Sequence, residues 1–176
     1  VEYFDQSGGT TRIGSAHRNK VGMPMSSFFG YKVIGLFPES EFHTEVISGN
    51  PVLVQNEGVP TQDGAAPGFL KFQDTDGDNA ITPEDRVFMG DPHPDFTYGL
   101  NLTLTYQGLD LNAYLYGSQG NDIFNWNRWW IDFWPSFQGQ KSKRMLYESW
   151  TPDRTDTDVP KASNSSNFST NGAVNS

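Results

Sequence analysis

Tyr98-Gly-Leu-Asn-Leu-Thr-Leu-Thr-Tyr-Gln-Gly-Leu-Asp-Leu-Asn-Ala-Tyr-Leu-Tyr-Gly-Ser118 carries two apolar and polar alternations back to back around one glycine. Successive side chains of a strand point to opposite faces. Tyr98, Leu100, Leu102, Leu104 and Tyr106 therefore share one face, and Gly99, Asn101, Thr103, Thr105 and Gln107 the other. Gly108 supplies a tight turn, after which Leu109, Leu111, Ala113 and Leu115 lie opposite Asp110, Asn112, Tyr114 and Tyr116. The spacing predicts a hairpin over 98–118 with one greasy face. Ten residues at about 3.4 Å each, tilted near 45°, rise roughly 24 Å, close to the apolar band of an outer-membrane barrel. The expected fold is mostly β: an antiparallel transmembrane β-barrel fragment with long extracellular loops and short helices.

Upstream, Asp74-Thr-Asp-Gly-Asp-Asn-Ala-Ile-Thr-Pro-Glu-Asp85 places carboxylates at loop positions one, three, five and twelve, the spacing of a calcium loop. In that reading Asp74, Asp76 and Asp78 give side-chain oxygens and Ala80 its carbonyl. Thr82 binds directly or through water, and Asp85 closes the shell. Every ligand is a hard oxygen, so the ion is calcium, with magnesium the other candidate, and its role is structural. Asn79 stands at position six where glycine is usual, and asparagine tolerates the left-handed backbone needed there. Asp85 reaches less far than a glutamate, which weakens the site. The competing reading is an acidic turn closed by Asx hydrogen bonds alone.

Composition narrows the class. Only 35% of the residues are hydrophobic, and 18 glycines and 11 prolines mark a loop-rich chain with a thin core. Twelve basic against 21 acidic residues give a net charge of −9, and no Lys or Arg run could hold phosphates, so nucleic-acid binding is not expected. The absence of cysteine excludes disulfides and thiolate metal sites. No stretch approaches the roughly 18 apolar residues of a membrane helix, which leaves a barrel open. Val1, with no initiator Met and no leader after it, suggests a processed or excised piece.

Along the chain, residues 1–26 read as loop or weak strand. Residues 27–37, dense in aromatic and branched residues and ended by Pro38, read as a barrel strand. Residues 38–97 form an extracellular loop holding the acidic motif, with a short helix expected over Glu39–Ile47 and short strands at Val52–Gln55 and Phe69–Phe72. The hairpin 98–118 follows, and 119–176 form a second extracellular loop with an aromatic cluster and a flexible tail. Trp126, Trp129, Trp130 and Trp134 fall within nine residues at helical spacing. They are candidates for contact with substrate or partner, against the alternative that they pack a loop onto the barrel rim. His17, His43 and His93 are scattered and no HExxH, GxSxG or Walker pattern occurs, so no enzyme activity is expected.

The span Pro67 to Ile81 with Asp85-Arg86, then Gly90-Asp-Pro-His-Pro-Asp-Phe-Thr-Tyr-Gly99, then Leu109 to Asp122, resembles the SusC/RagA family of outer-membrane transporters. Met23 to Phe37 and Trp150 to Pro160 resemble the segments that flank it there, so the likeness covers roughly residues 22 to 160. The resemblance implies a late part of a 22-stranded barrel with a plug. It also implies import of oligosaccharides or peptides under a SusD-like surface lipoprotein, energy from TonB through the plug region, and a bacterial outer-membrane location with lipid against the barrel. The runner-up is a secreted calcium-stabilised β-sandwich or dockerin-like carbohydrate- or protein-binding module. A dockerin, however, needs two calcium loops and this chain has one.

Overall fold

The computed structural model describes residues 10–13, 16–133 and 141–163. Ten short to medium strands run in chain order: β1 (Thr10–Ile13), β2 (His17–Lys20), β3 (Ser27–Gly30), β4 (Val33–Leu36), β5 (Phe42–Ile47), β6 (Asn50–Gln55), β7 (Leu70–Phe72), β8 (Val87–Gly90), β9 (Phe96–Tyr106) and β10 (Leu109–Gln119). One helical turn, α1 (Trp126–Arg128), and a two-turn helix, α2 (Lys143–Glu148), complete the described structure with three short 3-10 or π turns. The assigned strand pairings are antiparallel, as the alternations require. The sheets are separate: a four-stranded one ordered β1-β2-β3-β8, and three two-stranded ones, β9-β10, β4-β7 and β5-β6. Among the described residues they do not close into a barrel. The chain divides into two units, residues 1–28 with 89–124 and residues 29–88 with 125–176, the boundaries falling inside β3 and β8.

The first unit is dominated by the β9-β10 hairpin. Its register sets Tyr106 opposite Leu109, Leu104 opposite Leu111, Leu102 opposite Ala113, Leu100 opposite Leu115 and Tyr98 opposite Gly117. All the apolar positions of both strands thus fall on one face, and Asn101, Thr103, Thr105, Asp110, Asn112, Tyr114 and Tyr116 on the other. Gln107 and Gly108 take φ of 47° and 83°, the paired left-handed conformation of a two-residue turn whose twist matches the strands. Both strands run past the expected 98–118, because Asp95 N–H still donates to Gln119 O at 2.9 Å. Beyond them Asp122 N–H donates to Asp91 O (2.8 Å) and Asp91 N–H to the Asp122 carboxylate (3.1 Å), which locks the open end of the hairpin. Any side chain at Gly90 would overlap that carboxylate.

The second unit holds a small core of Phe37, Phe72, Tyr31, Met145, Trp150 and Val159, with Phe37 only 1% exposed. Tyr31 packs on Phe72 with ring centroids 5.4 Å apart, and Phe37 meets Phe42 edge-on at 5.5 Å. Trp150 N–H donates to Val159 O and Lys161 N–H to Gly68 O, pinning residues 150–161 onto the start of β7. Among the described residues the outer side of β7 has no strand partner. The buried Gln62 amide takes that place, donating to Leu70 O (2.7 Å) and accepting from Phe72 N–H (3.0 Å).

The helix expected over Glu39–Ile47 is not formed. A single 3-10 turn at Glu39–Glu41 gives way to β5, which pairs with β6 from Phe42 opposite Gln55 to Ile47 opposite Asn50. Thr44, Val46 and Ile47 are β-branched and suit a strand, and Ser48-Gly49 turn the chain back with φ of 53° and 83°. The pairing of two adjacent strands outweighed a Pro-Glu-Ser start that looked like a helix cap.

Candidate functional site

The acidic loop follows β7 directly. Because Phe72 is buried and Gln62 holds its N–H, the chain enters the loop from a fixed point. The loop then folds on its own carboxylates. Asp74 accepts from Gly77 N–H (2.6 Å) and Asn79 N–H (2.9 Å), Asp76 from Asp78 N–H (3.1 Å), and Asp78 from Ala80 N–H (2.8 Å). Asn79 sits at φ 65°, in the left-handed region. Residue 61 straps the far side, with Thr61 N–H donating to Asn79 O and Ile81 N–H to Thr61 O at 2.9 and 2.8 Å.

These bonds bring three carboxylates together. One oxygen from each of Asp74, Asp76 and Asp78 lies within 4.8 Å of the others. That spacing suits three hard oxygens around one divalent cation, whose bonds to oxygen run about 2.3–2.6 Å for calcium. The Asp76 carboxyl is shifted above its ordinary value. The Asp78 N–H holds it down, but desolvation and the neighbouring charges of Asp78, Asp85 and Asp74 together push it higher. Mutual repulsion of this kind is what a bound cation relieves.

Asp85 is placed differently from the other three. It is 0% exposed, and one oxygen accepts from Thr75 N–H (2.6 Å) and the Thr75 hydroxyl (3.3 Å), the other from Thr82 N–H (2.8 Å). Desolvation raises its pKa, yet the backbone donors of Thr82, Thr75 and Asp76 outweigh that and hold it below the usual carboxylate range. Asp85 N–H in turn donates to Thr82 O (3.1 Å), so Thr82 and Asp85 close the short turn Pro83–Asp85 on each other. Of the six residues expected to hold an ion, the structure gathers Asp74, Asp76 and Asp78. It sets Asp85 and Thr82 behind them as a brace, with the Ala80 N–H bonded to Asp78.

Among the described residues no helix is long and apolar enough to cross a membrane, so any crossing falls to strands. No family model matches the chain. Over 141 residues it is 32% identical to the TonB-dependent receptor P3 of Formosa agariphila, an alignment covering 80% of this chain and 12% of that protein. Over most of its length the chain is similar to a stretch of a TonB-dependent receptor. A second relative, TonB-dependent receptor P26 of the same bacterium, is 28% identical over 159 residues, covering 85% of this chain and 14% of that receptor. The chain thus spans under a sixth of the length of the curated receptors it matches. The expected outer-membrane location agrees with these relatives.

Of the four tryptophans, the described side chains of Trp126 and Trp130 come together. Trp126 and Trp130 meet edge-to-face with centroids 6.3 Å apart where α1 runs into the π turn Trp129–Phe133. Asp132 is buried there, 3.7 Å from the Arg128 guanidinium. The Trp129 side chain and Trp134 lie outside what is described, as do residues 1–9 and the tail from 164 onward. Two groups escaped the sequence reading. Gln62 is a lone polar residue in a loop, with no local pattern to mark it. The Asp91 and Asp122 lock joins residues 31 apart, and its only local sign is a glycine one or two positions before each carboxylate.

Proposed function

We infer that the chain supplies wall strands and extracellular loops to a TonB-dependent importer of the SusC/RagA type. That importer takes up glycans or peptides with a SusD-like surface lipoprotein and draws energy from TonB. The carrying observation is the β9-β10 register, which gathers Leu100, Leu102, Leu104, Leu111 and Leu115 on one open face, each 43–58% exposed. Phe96 and Tyr98 stand at one end of that face and Tyr106 at the other, the distribution of a lipid-facing band between aromatic girdles. No second sheet covers the leucines among the described residues, as a sandwich module would require. The two-residue turn at Gln107-Gly108 fits the periplasmic side and the long acidic segment the outer side. Asp74, Asp76 and Asp78 then hold a structural calcium, or magnesium in its place, at the extracellular rim. A cation there would neutralise the crowded carboxylates and stiffen the loop.

Spin labels at Leu102 and Thr103 of the full-length receptor in bilayers test the reading. Leu102 is expected to meet a lipid-phase relaxant and Thr103 an aqueous one. Aqueous access at Leu102, or shielding from both, overturns it.

A further inference from the structure

We propose that Tyr114 is a stacking platform for a neutral sugar ring on the lumenal wall. The proposal rests on the importer reading above and deepens it. Tyr114 lies on the polar face of the hairpin, directly opposite Asn101, between Asn112 and Tyr116 on its own strand, with Gly99 and Thr103 at the diagonals. Gly99 decides how the ring lies. A Cβ built at Gly99 would stand 3.5 Å from the Tyr114 hydroxyl and 3.9 Å from ring carbon Cε2, so the ring leans across the strand over the glycine. Its outer side is left open, and Tyr114 is 71% exposed. The same device appears on the opposite face, where the Tyr98 ring lies over Gly117 closely enough that any side chain there would collide with it. On the lipid side such a ring belongs to a girdle; on the polar side it offers a flat apolar surface within a hydrogen-bonding wall.

The neighbours select the ligand. Opposite and diagonal positions on one face stand about 4.5–8 Å apart. The amides of Asn101 and Asn112 and the hydroxyl of Thr103 therefore surround the ring at the reach of sugar hydroxyls. From Phe96 to Gln119 the hairpin carries no Lys, Arg, His or Glu, and its single carboxylate, Asp110, sits next to the turn. A charged peptide finds no counter-ion on this wall, whereas an uncharged pyranose or furanose finds an apolar face and amide partners.

The test uses the full-length receptor in detergent, titrated with neutral linear hexasaccharides of glucan, mannan and fructan type and with a pool of Lys- and Glu-containing decapeptides. A saccharide is expected to bind. Tyr114→Ala should weaken it about tenfold, while Tyr114→Phe and Tyr114→Trp stay within about twofold. Tyr98→Ala, on the lipid face, should leave affinity unchanged. Native saccharide affinity in Tyr114→Ala overturns the platform. So does equal loss in Tyr114→Phe and Tyr114→Ala, or binding of decapeptides alone, and in these cases the importer reading stands. A wild-type receptor that binds neither class, and imports neither in cells, overturns both.

Discussion

Asp85 shows how much one buried carboxylate organises. It is wholly enclosed and accepts from the backbone N–H groups of Thr75 and Thr82 and from the Thr75 hydroxyl, among others. Asp85→Ala leaves those donors unpaired in a closed space, a cost of about 2–4 kcal/mol to the local fold. Hydrogen exchange of Thr75 and Thr82 amides in the full receptor should rise accordingly, and unchanged protection would contradict the bonding described. The pH response follows from the sign of the shift. The folded-state pKa is lowered, so the stabilisation is complete above the unfolded carboxylate value of about 3.9 and is lost as pH falls through the folded value. Loop protection should be flat from pH 7 to 5 and drop below about pH 4. The Asp74, Asp76 and Asp78 cluster was legible in the sequence because its spacing is local and the loop folds on itself. The role of Asp85 was not legible, since burial depends on what surrounds the loop.

At the level of elements, the hairpin was readable almost to the residue. A two-residue period sustained over both strands admits no other structure, and the glycine after Gln107 fixes the turn. The short helix over Glu39–Ile47 was misread because capping signals are local, whereas β5 is chosen by a partner strand that begins three residues after it ends. The two faces of the hairpin should respond unequally to charge. Leu102→Arg, at mid-strand on the apolar face, is expected to cost about 2–4 kcal/mol in a bilayer, and Thr103→Arg on the polar face far less. Denaturant titration of the full receptor in lipid vesicles measures both. Equal costs would mean that the leucine face does not meet hydrocarbon. Gly108→Val, which forces a branched side chain to a φ of 83°, should reduce the yield of assembled receptor in the outer membrane.

For the molecule as a whole, the separate sheets set what this length of chain can do alone. Among the described residues the β9-β10 pair has no further strand on either side, and its apolar face is uncovered. Expressed in isolation, residues 1–176 should associate through those edges and stay insoluble without detergent. A monodisperse monomer in plain buffer would contradict that. In the full receptor, chelator treatment should speed proteolysis near Asp76 while leaving the hairpin resistant, and identical digestion with and without chelator would remove the cation from the account. The acidic segment is better defended against association than the hairpin. By filling the vacant flank of β7 with its own amide, Gln62 acts as a bookend: a stray strand from a neighbouring receptor has nothing there to zip onto. One substitution, Gln62→Leu, would remove that safeguard and leave the flank open to pairing.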